Sequence, residues 1–160
     1  MKILFIGGTG EISQAVSHRV VKEGHDLYVM NRGNRNHLIP SSVTHIKGNI
    51  NNEEEAKKAL EGYTFDCVVD WVAFVKPQLE RDYRLFKGIT KQFVFISSAS
   101  AYQKPVLDYP ITENTPLVNP YWQYSRDKIE CENYLNEINS PDFNITIIRP
   151  SHTYSDGKLM

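Results

Sequence analysis

The sequence predicts an α/β protein built around a doubly wound parallel sheet. Strand-like and helix-like segments alternate along all 160 residues. Several strand-like segments are apolar almost throughout, as expected for strands that are covered on both faces. Strict βαβ alternation with right-handed crossovers predicts the strand order 3-2-1-4-5-6, with helices on both faces of the sheet.

Six short segments are rich in β-branched and aromatic residues, which favour strands. They are separated by stretches long enough to hold a helix or a crossover loop. The strands are therefore predicted at residues 2–6, 26–30, 43–46, 66–72, 92–97 and 144–149.

Helical patterns fill the intervals between these strands. Residues 12–20 keep an apolar stripe at helical spacing, and Gly24 marks the end of that helix. The segment 51–62 has acidic residues first and lysines later, which complements the helix dipole. Pro77 is placed to open a third helix, and Pro120 precedes a long fourth helix that reaches about residue 139.

Composition argues against several classes of protein. Lys and Arg number 18 and Asp and Glu 19, which gives a formal net charge of −1. This near-neutral charge does not indicate binding to nucleic acid or to an anionic membrane. The longest apolar runs are only strand-length, and the N-terminus lacks a signal-peptide layout. Two cysteines suit a reducing cytosol, and five scattered histidines predict no metal site. We therefore expect a cytoplasmic protein without a nucleic-acid or membrane partner.

The most informative motif is the turn GGTGEIS at residues 7–13, between the first strand and the first helix. Glycine permits positive φ and close approach of a phosphate, while the helix N-terminus supplies N–H donors and a positive dipole end. Ser13 replaces the third glycine of a dinucleotide-binding turn, and Glu11 must point to solvent to avoid bound phosphate. A turn without a ligand is the alternative, but its place after the first strand favours a dinucleotide site.

A second group of polar residues follows the fifth strand. Ser97 and Ser98 end that strand, and Tyr124 and Lys128 lie one helical turn apart on one face of a later helix. A tyrosine is a weak base, with an ordinary pKa near 10, and a neighbouring ammonium favours its phenolate. A Tyr–Lys pair at this spacing is common on exposed helices. Its combination with the glycine turn and the serines indicates acid/base chemistry.

The loop after the second strand bears on the choice of cofactor. A carboxylate at this place marks NAD, because it binds the ribose hydroxyls, whereas an arginine marks NADP. Here Asn31 takes the place of the acid, Arg32 can grip a 2′-phosphate, and Arg35 is a second candidate. A solvated basic loop is the alternative. The sequence favours NADP, with NAD still open.

Taken in order, these motifs resemble the short-chain dehydrogenase/reductase superfamily, and within it the extended or atypical NAD(P)-dependent epimerase/dehydratase family. The matching segments are GGTG, SSASAY, YSRDK and IIRPSHTY, and the likeness covers essentially the whole chain. The resemblance implies that residues 1–160 form an NAD(P)-binding domain with a Rossmann fold. Members continue into a smaller substrate-binding domain, so we expect this chain to be the N-terminal part of a longer protein.

The resemblance also implies roles for individual residues. Tyr124 matches the acid/base, Lys128 the residue that binds the nicotinamide ribose and tunes the tyrosine, and Ser98 the residue that orients the substrate, with Ser100 as the alternative. His152 lies beside this site, where anchoring of the backbone is favoured over catalysis. The residues expected to contact the cofactor are Gly7, Thr9, Gly10, Glu11, Ile12, Asn31, Arg32, Arg35, Asn49, Ile50, Trp71, Val72, Ala73, Ser97, Tyr124, Lys128 and Pro150.

These expectations describe an enzyme that uses bound NADP or NAD for hydride transfer on a sugar nucleotide or a similar hydroxyl or carbonyl metabolite. Epimerase, dehydratase and reductase chemistry all stay open, as does a homodimer. The alternative is a non-catalytic NADP sensor or an RNA-binding member of the superfamily. The intact Tyr124–Lys128 pair and the near-neutral charge favour the enzyme.

Overall fold

A computed structural model describes residues 1–155 and 158–159. Within these residues, a six-stranded parallel sheet has the order β3-β2-β1-β4-β5-β6, which confirms the predicted order. The strands are β1 (Lys2–Ile6), β2 (Asp26–Asn31), β3 (Thr44–Lys47), β4 (Phe65–Asp70), β5 (Thr90–Ile96) and β6 (Asn144–Ile148). A separate antiparallel pair joins β7 (Tyr154–Ser155) to β8 (Lys158–Leu159).

Four α-helices connect the strands of the main sheet in the described part of the chain. They are α1 (Glu11–Lys22), α2 (Glu53–Ala59), α3 (Lys76–Phe86) and α4 (Gln123–Ile138), with 3-10 turns at Asn36–Leu38 and Ala99–Ala101. As predicted, Pro77 lies in the first turn of α3. No helix among these residues is long and apolar enough to cross a membrane.

Alternate residues of β1 enter two separate cores, as the period of a strand requires. Leu4 and Ile6 belong to the core under α2, α3 and α4, whereas Ile3 and Phe5 belong to the core that packs against α1. The predicted placement of helices on both faces of the sheet is therefore confirmed.

One predicted boundary is wrong for a reason that matters to the site. The fourth strand was expected to reach residue 72 but ends at Asp70, because Asp70 Oδ1 accepts the amides of Val72 and Ala73 and turns the chain out of the sheet. The last helix begins at Gln123, three residues after Pro120, and ends at Ile138, so Pro120 precedes it as predicted. There the Asn119 side chain accepts the Tyr121 amide and holds residues 119–121 in a turn.

Candidate active site

A cleft of about 450 Å³ opens at the carboxyl ends of β1, β4 and β5. This is the edge of a doubly wound sheet where ligands bind, at the point where the strand order reverses. Its lining comprises residues 7–13, Arg35, Trp71, Val72, Phe74, Ile96, Ser97, Ser98, Tyr124, Lys128, Pro150, Ser151 and Thr153.

The glycine turn forms one wall of this cleft. Gly7 and Gly8 have φ of 102° and 81°, which disfavours any other residue type. A Cβ on Gly7 would lie 2.9 Å from Val72 Cγ1, so the turn also packs too closely for a side chain there. Gly10 has φ of −83°, and the expectation of positive φ in this turn therefore applies to Gly7 and Gly8 and not to Gly10.

Ser13 has a structural use where a third glycine was expected. Its side chain is buried, and its Oγ accepts the Gly10 amide at 2.9 Å. Ser17 Oγ, one turn later, donates to the Gly8 carbonyl at 3.1 Å. The two hydroxyls therefore tie α1 to the turn. The first helical bond runs from Gln14 N–H to the Gly10 carbonyl, so α1 begins at the turn and its N-terminal end lies at the cleft wall.

Lys128 lies at the floor of the cleft and is 2% exposed. Its Nζ donates to the carbonyls of Ala73 and Ile96 at 2.7 and 2.8 Å, and it lies 4.5 Å from the centre of the Phe95 ring. Burial lowers the pKa of Lys128 to about 8, so the ammonium keeps its charge at neutral pH. An ammonium has three donors, of which these carbonyls use two.

Tyr124 is half-buried and lies beside this ammonium. The centre of its ring is 5.7 Å from Lys128 Nζ, and it contacts the rings of Trp122 and Phe74 at 4.8 and 6.3 Å between centroids. Phe74 and Trp122 are each about half exposed. The phenol is thus held by aromatic neighbours within a cleft that a cation also lines.

The three serines after β5 have different environments. Ser98 lines the cleft, and its Oγ accepts the Ser100 amide at 3.1 Å. Ser100 Oγ accepts the hydroxyl of Ser125 at 2.9 Å and does not line the cleft. Of the two serines considered for orienting a substrate, Ser98 has the better position. Its role stays a prediction.

Ser97 belongs to a buried ionic network that sequence reasoning missed. Its hydroxyl donates to Glu132, which is fully buried on α4. Arg149, just after β6, makes three hydrogen bonds to the Glu132 carboxylate at 2.7–3.0 Å and donates to the Tyr102 hydroxyl at 3.1 Å. Glu132 lies on the Lys128 face of α4, four residues later, and this spacing was the signal that could have found it. The network fixes α4 against the ends of β5 and β6.

The loop after β2 contributes Arg35 to the cleft, whereas Arg32 is exposed and lies outside its lining. The Asn31 side chain is occupied within the loop: its Oδ1 accepts the Gly33 amide at 2.7 Å and its Nδ2 donates to Asn36 at 2.9 Å. Both arginines stay candidates for a 2′-phosphate.

Three further residues expected near the cofactor do not line the cleft. Asn49 caps the turn before α2 through its Oδ1 and the Asn51 amide, and Ile50 packs against the larger core. Ala73 is buried beneath the cleft and contributes its carbonyl to Lys128. His152 is exposed and does not line the cleft. The backbone contact near it is made by Pro150, whose carbonyl accepts the Ala99 amide at 2.9 Å.

The described residues contain no group of three or more His, Cys, Asp or Glu side chains arranged to hold a metal ion.

Comparison with known proteins identifies the family of this chain. A UDP-glucose 4-epimerase from Lactobacillus helveticus is 32% identical over 143 residues, which cover 76% of this chain and 43% of that protein. The chloroplast stem-loop binding protein of 41 kDa b from Arabidopsis thaliana is 30% identical over 170 residues, covering 96% of this chain and 42% of that protein. This chain thus spans less than half the length of either relative.

Solved structures agree on the fold. The UDP-glucose 4-epimerase of Thermus thermophilus, crystallised as a complex with NAD, superposes with a TM-score of 0.75 at 19% identity, covering 93% of this chain and 54% of that one. The model of the NAD dependent epimerase/dehydratase family matches residues 3–159. The chain belongs to the NAD dependent epimerase/dehydratase family.

Proposed function

We propose that this chain binds a nicotinamide dinucleotide and is the cofactor-binding part of an epimerase, dehydratase or reductase that acts on a sugar nucleotide or a similar metabolite. The single observation that carries the proposal is convergence on one cleft: the Tyr124–Lys128 pair of α4 and Ser98 after β5 meet the glycine turn there, although these three parts of the chain are far apart in sequence. The family match and the sugar-nucleotide epimerases among its relatives support the same conclusion.

The cleft fits the proposed cofactor. Gly7 and Gly8 bring bare backbone to the cleft wall, and the N-terminus of α1 supplies amides and a positive dipole end for a pyrophosphate. Gly10 adds open space, because an added Cβ would meet only Ser13 Oγ at 3.4 Å. We propose that residues 7–12, Arg35, Trp71 and Val72 hold the dinucleotide. When bound, a nicotinamide dinucleotide supplies hydride transfer.

The side chains at the other end of the cleft suit proton transfer. We propose that Tyr124 exchanges a proton with a substrate hydroxyl or carbonyl that Ser98 holds by a hydrogen bond. The Lys128 ammonium stabilises negative charge on the phenol oxygen, and its third donor is available for a ribose hydroxyl. The two carbonyls of Ala73 and Ile96 fix the ammonium in place, so its charge needs little reorganisation.

The proposal is tested by titrating the 160-residue chain with NADPH and NADH and following fluorescence, while UDP-hexoses are assayed in parallel. We expect saturable dinucleotide binding with slow turnover, because the family resemblance assigns most substrate contacts to a further domain. Absence of dinucleotide binding by the folded chain would contradict the proposal.

We also propose that the cofactor is NADP, read by Arg32 and Arg35. Charge-assisted hydrogen bonds to a 2′-phosphate contribute about 1.5–3 kcal/mol, or roughly ten- to hundredfold in affinity. The Arg32→Ala, Arg35→Ala double variant is expected to weaken NADP binding by about this factor and to leave NAD binding nearly unchanged. Added salt should weaken NADP more than NAD.

The measurement is the ratio of the NADP and NAD dissociation constants in the double variant. The single variants Arg32→Ala and Arg35→Ala show how much each arginine contributes. Lys91→Ala is the matched control, since it removes an exposed cation near the amino end of β5, whereas the cleft opens at the carboxyl ends of the strands. A ratio in the double variant equal to that of the unaltered protein would show that this loop does not read the phosphate, and NAD would become the better assignment.

A second function is favoured by one specific observation, the similarity to a chloroplast stem-loop binding protein over 96% of this chain. The competing proposal is that the domain binds a nucleic-acid stem-loop, with the dinucleotide cleft retained or lost. The net charge of −1 weighs against it, since such binding rests on cationic contacts with phosphates. Retention of a stem-loop RNA that weakens steeply with salt, without NADP(H) turnover, would favour this second function.

A further inference from the structure

Two carboxyl groups are buried directly behind the cleft. Asp70 ends β4 and is 1% exposed, and Asp82 lies within α3 and is 0% exposed. Asp70 Oδ1 accepts the amides of Val72 and Ala73 at 2.6 and 2.8 Å. Asp82 Oδ1 accepts Nε and Nη2 of Arg81 at 2.8 and 2.6 Å. One oxygen of each carboxyl group is thus fully used.

The second oxygen of each carboxyl group has no hydrogen-bond donor within the part of the chain that the structure describes. Asp70 Oδ2 and Asp82 Oδ2 are both buried, and neither receives a donor from any described residue. The two carboxyl groups nevertheless interact with each other, because both the charge of Asp70 and a side-chain hydrogen bond with Asp70 act on Asp82. A buried carboxylate oxygen without a donor is costly, and two carboxylates this close do not both ionise. A single proton between them would satisfy both oxygens.

We propose that Asp70 and Asp82 share one proton between their Oδ2 atoms, and that this proton holds in place the segment that positions Lys128. The connection is continuous: Asp70 accepts the Ala73 amide, and the Ala73 carbonyl accepts Lys128 Nζ at 2.7 Å. Both aspartates are positioning residues, since neither lines the cleft. The inference does not rest on the proposed function of the cleft.

The charges around the pair are consistent with one proton. Arg81, itself tied to Asn51 by a 2.9 Å hydrogen bond, faces Asp82 and balances the single negative charge of the protonated pair. From α4, the charge of Asp70 acts on Lys128 and Cys131, and that of Asp82 acts on Tyr134. Burial and the neighbouring Asp70 raise the pKa of Asp82 well above its usual range, with Arg81 opposing them.

A raised pKa in the folded state has a definite consequence for stability. The folded chain keeps a proton that the unfolded chain releases above the ordinary pKa of an aspartate, about 3.9. The contribution of the pair to folding is therefore complete below that pH and is lost as the pH rises through the raised pKa of Asp82. Across this interval, each pH unit multiplies the unfolding equilibrium constant by about ten.

The decisive variant is Asp82→Asn. Its amide Nδ2 can donate to Asp70 Oδ2 in place of the shared proton, while its Oδ1 still accepts from Arg81. Urea unfolding should be followed from about pH 5 to about pH 7, which lies below the Lys128 pKa of about 8. In the unaltered protein, we expect this pair to raise the unfolding equilibrium constant about tenfold per pH unit, and in Asp82→Asn we expect this dependence to disappear. The variant should therefore be the more stable protein at the upper end of the pH range. Asp108→Asn, at an exposed loop position, should keep the slope of the unaltered chain.

Infrared difference spectroscopy gives an independent readout that needs no stable variant. The unaltered protein at neutral pH should show the C=O stretch of a protonated carboxylic acid, and Asp82→Asn should lack it. Asp70→Asn should lose the same band and the same slope, because either amide can replace the proton. The absence of that band in the unaltered protein would overturn the proposal. So would an Asp82→Asn variant that is less stable at every pH with the original slope, since Asp82 would then be the ionised partner of Arg81.

Discussion

Replacing Tyr124 with phenylalanine is expected to lower turnover by about 10²–10⁴-fold while leaving dinucleotide affinity nearly unchanged. The substitution deletes one hydroxyl, and under the proposed mechanism that hydroxyl acts only in the proton-transfer step. The ring would keep its contacts with Trp122 and Phe74, so the cleft should keep its shape. The measurement is kcat/KM with a sugar nucleotide, beside the dissociation constant of NADPH.

Two further variants serve as a control and a comparison for Tyr124→Phe. Tyr121→Phe is the matched control, because Tyr121 is 75% exposed and lies outside the cleft lining, and its loss should leave turnover unaffected. Lys128→Ala should damage both binding and rate, since it removes the cation that the carbonyls of Ala73 and Ile96 hold at the cleft floor. Near-normal turnover in Tyr124→Phe would remove the acid/base assignment.

Gly10→Val is expected to abolish dinucleotide binding in a protein that still folds. The backbone at Gly10, with φ of −83° and ψ of 171°, is open to valine, and an added Cβ meets nothing closer than Ser13 Oγ at 3.4 Å. The side chain would occupy space needed by the pyrophosphate at the N-terminus of α1. Losing two charge-assisted hydrogen bonds there would by itself cost about 3 kcal/mol, or roughly a hundredfold in affinity, and the steric overlap of valine with the pyrophosphate would remove the remaining binding.

The contrast with Gly7→Val separates ligand blockage from misfolding. Gly7 has φ of 102°, and its added Cβ would lie 2.9 Å from Val72 Cγ1, so that variant should lose thermal stability as well as binding. Circular dichroism melts and NADPH titrations on the two variants distinguish these effects. Unchanged affinity in a folded Gly10→Val protein would mean that residues 7–13 form a turn without a ligand.

Local signals predicted the parts of this molecule that depend on local physics. The glycines, the first-turn proline of α3 and the alternating apolar residues of β1 act within a few residues of their own position, so the elements and their order could be predicted. The topology followed because right-handed crossovers leave few ways to connect such elements. That order then brings the glycine turn, Ser98, Tyr124 and Lys128 to one edge of the sheet.

Other features depend on contacts between residues far apart in the chain, which no local pattern records. The sequence indicated Ser98 with Ser100 as the alternative, and only the structure shows that Ser98 lines the cleft while Ser100 Oγ accepts the Ser125 hydroxyl. The sequence contained no sign that Asp70, which ends β4, meets Asp82 of α3 behind the cleft.

By itself, then, the sequence determined the fold and its strand order, because both rest on short-range pattern and handedness. The family followed from the resemblance of its motifs to known proteins, which the family model confirms. The tertiary structure alone decided which side chains line the cleft, and that burial lowers the pKa of Lys128 to about 8. It also left two interacting aspartates, Asp70 and Asp82, each with a buried Oδ2 atom that receives no donor from the residues that the structure describes. The physical reason is that desolvation and hydrogen-bond partnership belong to the packed environment of a group and not to its neighbours in the sequence.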